Sequence, residues 1–155
     1  MRRRFETKSS GETVAAGREI AGWLKPPQLL ILRGELGAGK TTLVKGIADA
    51  LGAADPDEVT SPTFTLVHEY QGRRNGGDGD QGPVELYHLD LYRIENERQL
   101  DTLGIEEMAS EDAILLIEWG EKFPSLVKRS TGEIAIEHSG EEARVITLTF
   151  KDKQP

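Results

Sequence analysis

The sequence predicts an α/β fold whose sheet is part parallel and part antiparallel, and three observations predict it. Gln28–Leu32 and Ala113–Trp119 ("AILLIEW") are strongly apolar runs of strand length, the pattern of strands covered by helices on both faces. "SSGETVAAGREIAGWL" and "KTTLVKGIADALG" instead place apolar residues at helical spacing. "EIAIEHSGEEARVITLTF" alternates on either side of Ser139-Gly140, as a terminal antiparallel hairpin does.

Taken in order, Ser9 stands three residues ahead of Glu12 in capping-box spacing, so a helix is predicted over about 11–24, stopping before Pro26-Pro27. The strand at Gln28–Leu32 leads through "RGELGAGKTT" into a second helix, with Leu43, Ile47 and Leu51 on one face and Gly52 as its C-cap. "TFTLVHEY" and "VELYHLDLY" are two strands. Between them "QGRRNGGDGDQG", Gln71 to Gly82, has five glycines and little to bury; it predicts a flexible loop over about 71–83. "ENERQLDTLGIEEM" predicts one short polar helix, followed by the strand at Ala113.

The 155 residues suit a single domain over 1–155. Apolar residues make up 37% and none forms a membrane-length run, so a soluble chain with no membrane partner is expected. No apolar stretch follows "MRRRFETKSS", which argues against a secretory signal, and the lack of cysteine suits a reducing, cytoplasmic setting. The net charge of -8 disfavours direct RNA binding, because such affinity rests on neutralising phosphates. Arg2, Arg3 and Arg4 are the exception, expected to be a solvated terminus.

Gly34, Gly39, Lys40 and Thr41 satisfy G-x-x-x-x-G-K-S/T between a predicted strand and a predicted helix. Glycines let the main chain wrap phosphates with its N–H groups, and the helix adds its positive end. Lys40 supplies a charge for the β- and γ-phosphates, and Thr41 a hydroxyl for magnesium. The candidate set for binding a triphosphate is therefore Gly34, Glu35, Leu36, Gly37, Ala38, Gly39, Lys40, Thr41 and Thr42.

Phosphoryl transfer also needs carboxylates. Asp90 in "YHLDLYR" and Glu118 in "ILLIEWG" each follow apolar strand residues, where an unpaired acid is expensive to bury. Each is either a structural carboxylate or a Walker-B-like acid, and beside a phosphate loop the second is favoured. In "TSPTFTL", Ser61 or Thr63 either makes a turn or touches a γ-phosphate or metal. Trp119 belongs to the core or stacks on adenine, core being preferred. His68, His88 and His138 lack metal-ligand spacing and are expected to be satisfied strand imidazoles.

"GELGAGKTT", "TSPTFTLVHEY", "YHLDLYR", "LGIEE" and "AILLIEW", in that order, resemble the bacterial threonylcarbamoyladenosine biosynthesis ATPase family TsaE, also called YjeE. The resemblance covers roughly Ser9 to Trp119. It implies an α/β, P-loop NTPase-like three-layer fold with a mixed sheet and a C-terminal β-hairpin. It implies ATP and Mg2+ as cofactors and TsaB and TsaD as partners, with tRNA met only through the complex. TsaD would transfer the carbamoyl group while ATP turnover here supports repeated cycles. Carried over, Gly37 to Thr42 hold phosphates, Thr41 and Glu118 match magnesium ligands, and Asp90 matches the Walker-B acid. Thr63 matches a switch-like threonine and Trp119 a tryptophan near the nucleotide, so that Lys40, Thr63, Asp90 and Glu118 form the catalytic set and Thr41, Asp90 and Glu118 the metal set. The segment Gln71–Gly82 is longer than the family pattern, and with Glu141 standing where some relatives have arginine, Arg144 is left outside the site.

Two other classes compete. A small-molecule kinase would need an arginine lid, for which only Arg73 and Arg74 in the glycine-rich segment are available. A non-catalytic nucleotide-gated adaptor would use the same residues without turnover. A GTPase is disfavoured by the lack of N-K-x-D.

Overall fold

The structure is a computed structural model and describes residues 1–35, 37–63, 65–76 and 79–151. Among the described residues, seven strands form one sheet: β1 (Arg2–Thr7), β2 (Gln28–Arg33), β3 (Val67–Gly76), β4 (Gly79–Asp90), β5 (Ala113–Glu118), β6 (Gly132–His138) and β7 (Arg144–Phe150), in spatial order β1-β7-β6-β2-β5-β4-β3. The centre is parallel, with β2 between β6 and β5 and β5 also beside β4. Both flanks are antiparallel, through β1/β7, β6/β7 and β3/β4. The expected mixed sheet and C-terminal hairpin are present.

Period-two alternation sends the central strands' side chains into two cores. Leu30 and Leu32 of β2, Ile114 and Leu116 of β5, and Leu86 of β4 meet the helices α1 (Ser10–Ala21) and α2 (Lys40–Ala50). Leu29, Leu89, Leu115 and Ile117 point the other way, under α3 (Glu97–Asp101), α4 (Ile105–Met108) and α5 (Pro124–Arg129). Helices on both faces make the third layer.

The two helical layers are built differently. Ser9 caps α1, its hydroxyl accepting the Glu12 amide, and α1 crosses α2 at Gly17 and Gly46. A methyl group on Gly46 would lie 2.0 Å from the Val14 carbonyl oxygen, so only glycine permits this approach. On the opposite face, the predicted single polar helix is two short ones, divided at Gly104. There the Lys122 ammonium donates to the carbonyls of Leu91, Tyr92 and Ile94 at 3.1, 2.9 and 2.8 Å, using its three protons to hold the chain after β4.

Several expectations need correction. Arg2, Arg3 and Arg4 are not a solvated tail but an edge strand paired with β7; Arg4 meets Glu6, and Arg3 lies 4.1 Å from the Trp23 ring centroid. Within the expected loop, 71–76 and 79–83 are strand rather than loop, with Gln71 opposite Glu85 and Asn75 opposite Asp80 past a register shift, while Gly77 and Asp78 lie outside the described residues. Backbone pairing with the neighbouring strand supplies what the glycine-rich side chains do not. The first helix stops at Ala21, where Gly22 caps it, short of residue 24. The strand expected from Thr63 begins only at Val67, because the amide of Leu66 donates to the Pro62 carbonyl and closes a turn first.

Candidate functional site

The site gathers where β2, β4 and β5 end. Arg33 closes β2, and the chain turns through Gly34–Gly39 into α2. A Cβ on Gly34 would sit 2.8 Å from the Ile136 carbonyl oxygen, so the loop lies flat against β6. Gly39, with φ +104°, turns the backbone into the helix in a conformation that L side chains rarely adopt. The first intrahelical bond runs from the Leu43 amide to the Gly39 carbonyl, which leaves the preceding amides of the first turn open to a ligand. Thr41 and Thr42 lie partly buried in that turn, and Leu36 lies outside the described residues.

Lys40, only 7% exposed, folds back over the loop. Its ammonium donates to the Gly34 carbonyl at 2.6 Å and pairs with Glu118 Oε1 at 3.3 Å. Asp90 and Glu118 are register partners on adjacent parallel strands, so both carboxylates leave the same face at the same level. Asp90 Oδ2 accepts the Thr63 hydroxyl at 2.9 Å, and Oδ1 accepts the Tyr92 amide at 2.9 Å. Of the two hydroxyls considered for contact with a γ-phosphate or metal, Thr63 bonds the acid and Ser61 bonds Thr63, at 2.7 Å.

Glu118 is 5% exposed. Burial pushes its pKa up, but hydrogen bonding to His88 and the nearby His88 and Lys40 charges outweigh it, leaving the carboxyl below its ordinary range. The ionised form is thus favoured despite the apolar strand around it.

Trp119 is partly buried, packed against the second core and against Tyr92, with centroids 5.4 Å apart. Its ring centroid lies 5.3 Å from the Lys40 ammonium. Trp119 has φ +65° and Leu66 φ +71°. Both flank the acids: Trp119 follows Glu118, and the Leu66 carbonyl accepts the Asp90 amide at 3.0 Å. Left-handed backbone in bulky residues is costly, and it concentrates at functional sites.

The structure therefore brings Lys40, Thr63, Asp90, Glu118 and Trp119 together around the loop. Two residues were passed over in the sequence. Arg144 on β7 donates through Nε to the Ala38 carbonyl at 2.7 Å, bracing the loop, while Nη1 donates to the Ala143 and Glu141 carbonyls at 2.8 and 3.1 Å. That contact spans 106 positions, and no local pattern announces it. His88 is not a satisfied strand imidazole. It is fully buried, Nε2 lies 2.5 Å from Glu118 Oε2, and Nδ1 has no hydrogen-bond partner among the described residues. The signal available was its position two residues before Asp90, on the same face of the strand.

The donor set suits magnesium. Two carboxylates and a threonine hydroxyl are hard oxygen ligands, and among the described residues no group of three or more histidine, aspartate or glutamate side chains converges as a protein-only metal cage. A cation that keeps water and takes ligands from phosphate needs no such cage. The segment once available as a kinase lid is elsewhere: the Arg73 amide donates to the Leu51 carbonyl, at the far end of α2, about 16 Å along the helix from the loop. Among the described residues, no helix is long and apolar enough to cross a membrane.

The family model described as "Threonylcarbamoyl adenosine biosynthesis protein TsaE" matches residues 7–146. The chain belongs to the TsaE family. It is 36% identical over 146 residues to the tRNA threonylcarbamoyladenosine biosynthesis protein TsaE of Bacillus subtilis, covering 94% of this chain and 84% of the relative. The protein of the same name from Treponema pallidum is 33% identical over 145 residues, covering 94% and 98%. Among solved structures, that of Bacillus subtilis YdiB superposes with a TM-score of 0.66 at 30% identity, covering 97% of this chain and 86% of that one. The fold expected from the sequence is thus shared with a solved structure, and the TsaE resemblance with a family model and curated relatives.

Proposed function

We propose that this chain is a magnesium-dependent ATPase acting in threonylcarbamoyladenosine modification of tRNA, in the cytoplasm and together with TsaB and TsaD. Family membership supports the pathway. The observation that carries the chemistry is the meeting of Lys40 with the paired strand-end acids Asp90 and Glu118 over a glycine-bent loop.

In this reading, the amides from Gly37 to Thr42 bind the phosphates, the Ala38 amide giving up its bond to the Glu35 carbonyl, and Lys40 exchanges the Gly34 carbonyl for a β- or γ-phosphate oxygen. Thr41, Asp90 and Glu118 would hold magnesium, which would offset the negative charge that develops on the phosphates. Asp90 is kept in one orientation by the Thr63 hydroxyl and the Tyr92 amide. Thr63 lies in the turn before β3, so a phosphate that drew its hydroxyl away would loosen that turn from β4, a means of reporting the nucleotide state. Water attacks the γ-phosphorus, the bond to the β-phosphate oxygen breaks, and ADP and phosphate leave.

Phosphate release from Mg-ATP, measured for this chain alone and with TsaB and TsaD, tests the proposal. Slow release alone and faster release with the partners is expected. ATP binding without turnover in either condition would point to a nucleotide-gated adaptor instead. Glu118→Ala is expected to keep nucleotide binding in part and to cut release by about a hundredfold.

A further inference from the structure

We propose that His88 is a positioning residue which aims the Glu118 carboxylate and thereby sets the affinity of the site for magnesium. The inference rests on the reading of Glu118 as a metal ligand.

His88 occupies the inward face of β4 between Leu86 and Asp90, and its side chain is wholly excluded from solvent. A central strand covered by helices ordinarily carries an apolar residue there. The carboxylate of Glu118 can only accept, so the 2.5 Å contact requires the proton on Nε2 of the imidazole. Nδ1, on the far side of the ring, is a buried polar atom with no hydrogen-bond partner among the described residues. An unsatisfied buried polar atom is destabilising, and a leucine of similar size would carry no such cost. What the imidazole offers is therefore confined to its one bond with Glu118.

That bond distinguishes the two oxygens of Glu118. Oε2 is held by His88 from the β4 side, and Oε1 faces Lys40 and the phosphate loop. When a phosphate draws Lys40 away, Oε1 is the oxygen released, already directed at the loop, and the carboxylate cannot swing because Oε2 stays tethered. Groups that orient a ligating carboxylate from behind typically contribute 10–100-fold to metal affinity.

The test compares wild type, His88→Leu and His88→Gln in calorimetric titrations of a non-hydrolysable ATP analogue, first with chelator and then over a range of magnesium concentrations. Leucine fills the space without a donor; glutamine places an amide N–H near the position of Nε2. All three are expected to bind the analogue alike without magnesium. His88→Leu should need about 10–100-fold more magnesium to gain its metal-dependent affinity, and His88→Gln should recover most of the loss. Should His88→Leu not fold, His88→Asn, whose shorter amide falls short of Glu118, takes its place with the same expectation. A magnesium response in the donor-less variant equal to wild type would overturn the inference alone, as would equal losses in the leucine and glutamine variants. Wild type that binds no analogue in either condition would overturn the ATPase reading and the inference together.

Discussion

The two faces of the sheet hold their helices by different means. On one, α1 and α2 meet backbone to backbone at Gly17 and Gly46, and the longer of the apolar clusters seals them onto the strands. On the other, α3, α4 and α5 are each six residues or fewer, and a lysine ammonium bound to three carbonyls holds the chain that leads into them. The candidate site sits on the first face, at the end of α2. A loop that must hold its amides in place benefits from a helix that cannot slide, whereas Asp90 and Tyr92 connect the site to the more loosely assembled face. The fold thus places the phosphate-facing groups on the face where α1 and α2 meet and joins the other face through the chain after Asp90 and through Trp119, which packs against the second core.

Four substitutions and one titration sharpen this contrast, from the largest effect downward. Gly46→Val should prevent the α1/α2 crossing and cost on the order of 3 kcal/mol or more, read from urea unfolding; a variant of near wild-type stability would show that the crossing yields easily. Lys40→Ala should weaken ATP binding about tenfold to a hundredfold by calorimetry, since a charge-assisted contact is lost. Unchanged binding would remove the loop's assigned role. Lys122→Met should cost about 1–2 kcal/mol in stability and, if the second face matters little to the phosphates, should leave ATP affinity in the absence of magnesium near wild type.

The pH response follows from Glu118, whose folded-state pKa lies below its ordinary value of 4.5. Its contribution is complete above that value and is lost as pH falls beneath it, through the depressed folded-state pKa. Urea midpoints of wild type and Glu118→Gln should therefore converge as the pH drops below about 4.5. Smallest of all, Arg18→Ala removes a half-exposed ion pair with Asp49 on the outside of the first face and should change stability by about 0.5 kcal/mol or less.

Much of the site was legible because its signals are local. The glycines, lysine and threonine of the loop are contiguous, and each acid ends its own apolar strand. The apolar runs of β2 and β5 likewise declared parallel, doubly covered strands. What stayed hidden depends on partners distant in sequence. Arg2–Arg4 has the composition of a tail and becomes a strand only because β7 offers a ladder. The glycine-rich stretch after Tyr70 is extended for the same reason, since pairing across a hairpin overrides weak intrinsic propensity. Arg144 reaches the loop across 106 positions, and His88 became interpretable only once β4 and β5 lay side by side.

A crystal grown with magnesium and a non-hydrolysable ATP analogue tests the account most directly. It should show the β- and γ-phosphates on the amides of Gly37 to Thr42, the Lys40 ammonium moved from the Gly34 carbonyl onto a phosphate oxygen, and the cation beside Thr41, Asp90 and Glu118. Lys40 still bound to Gly34 and Glu118, with the analogue elsewhere, would contradict it.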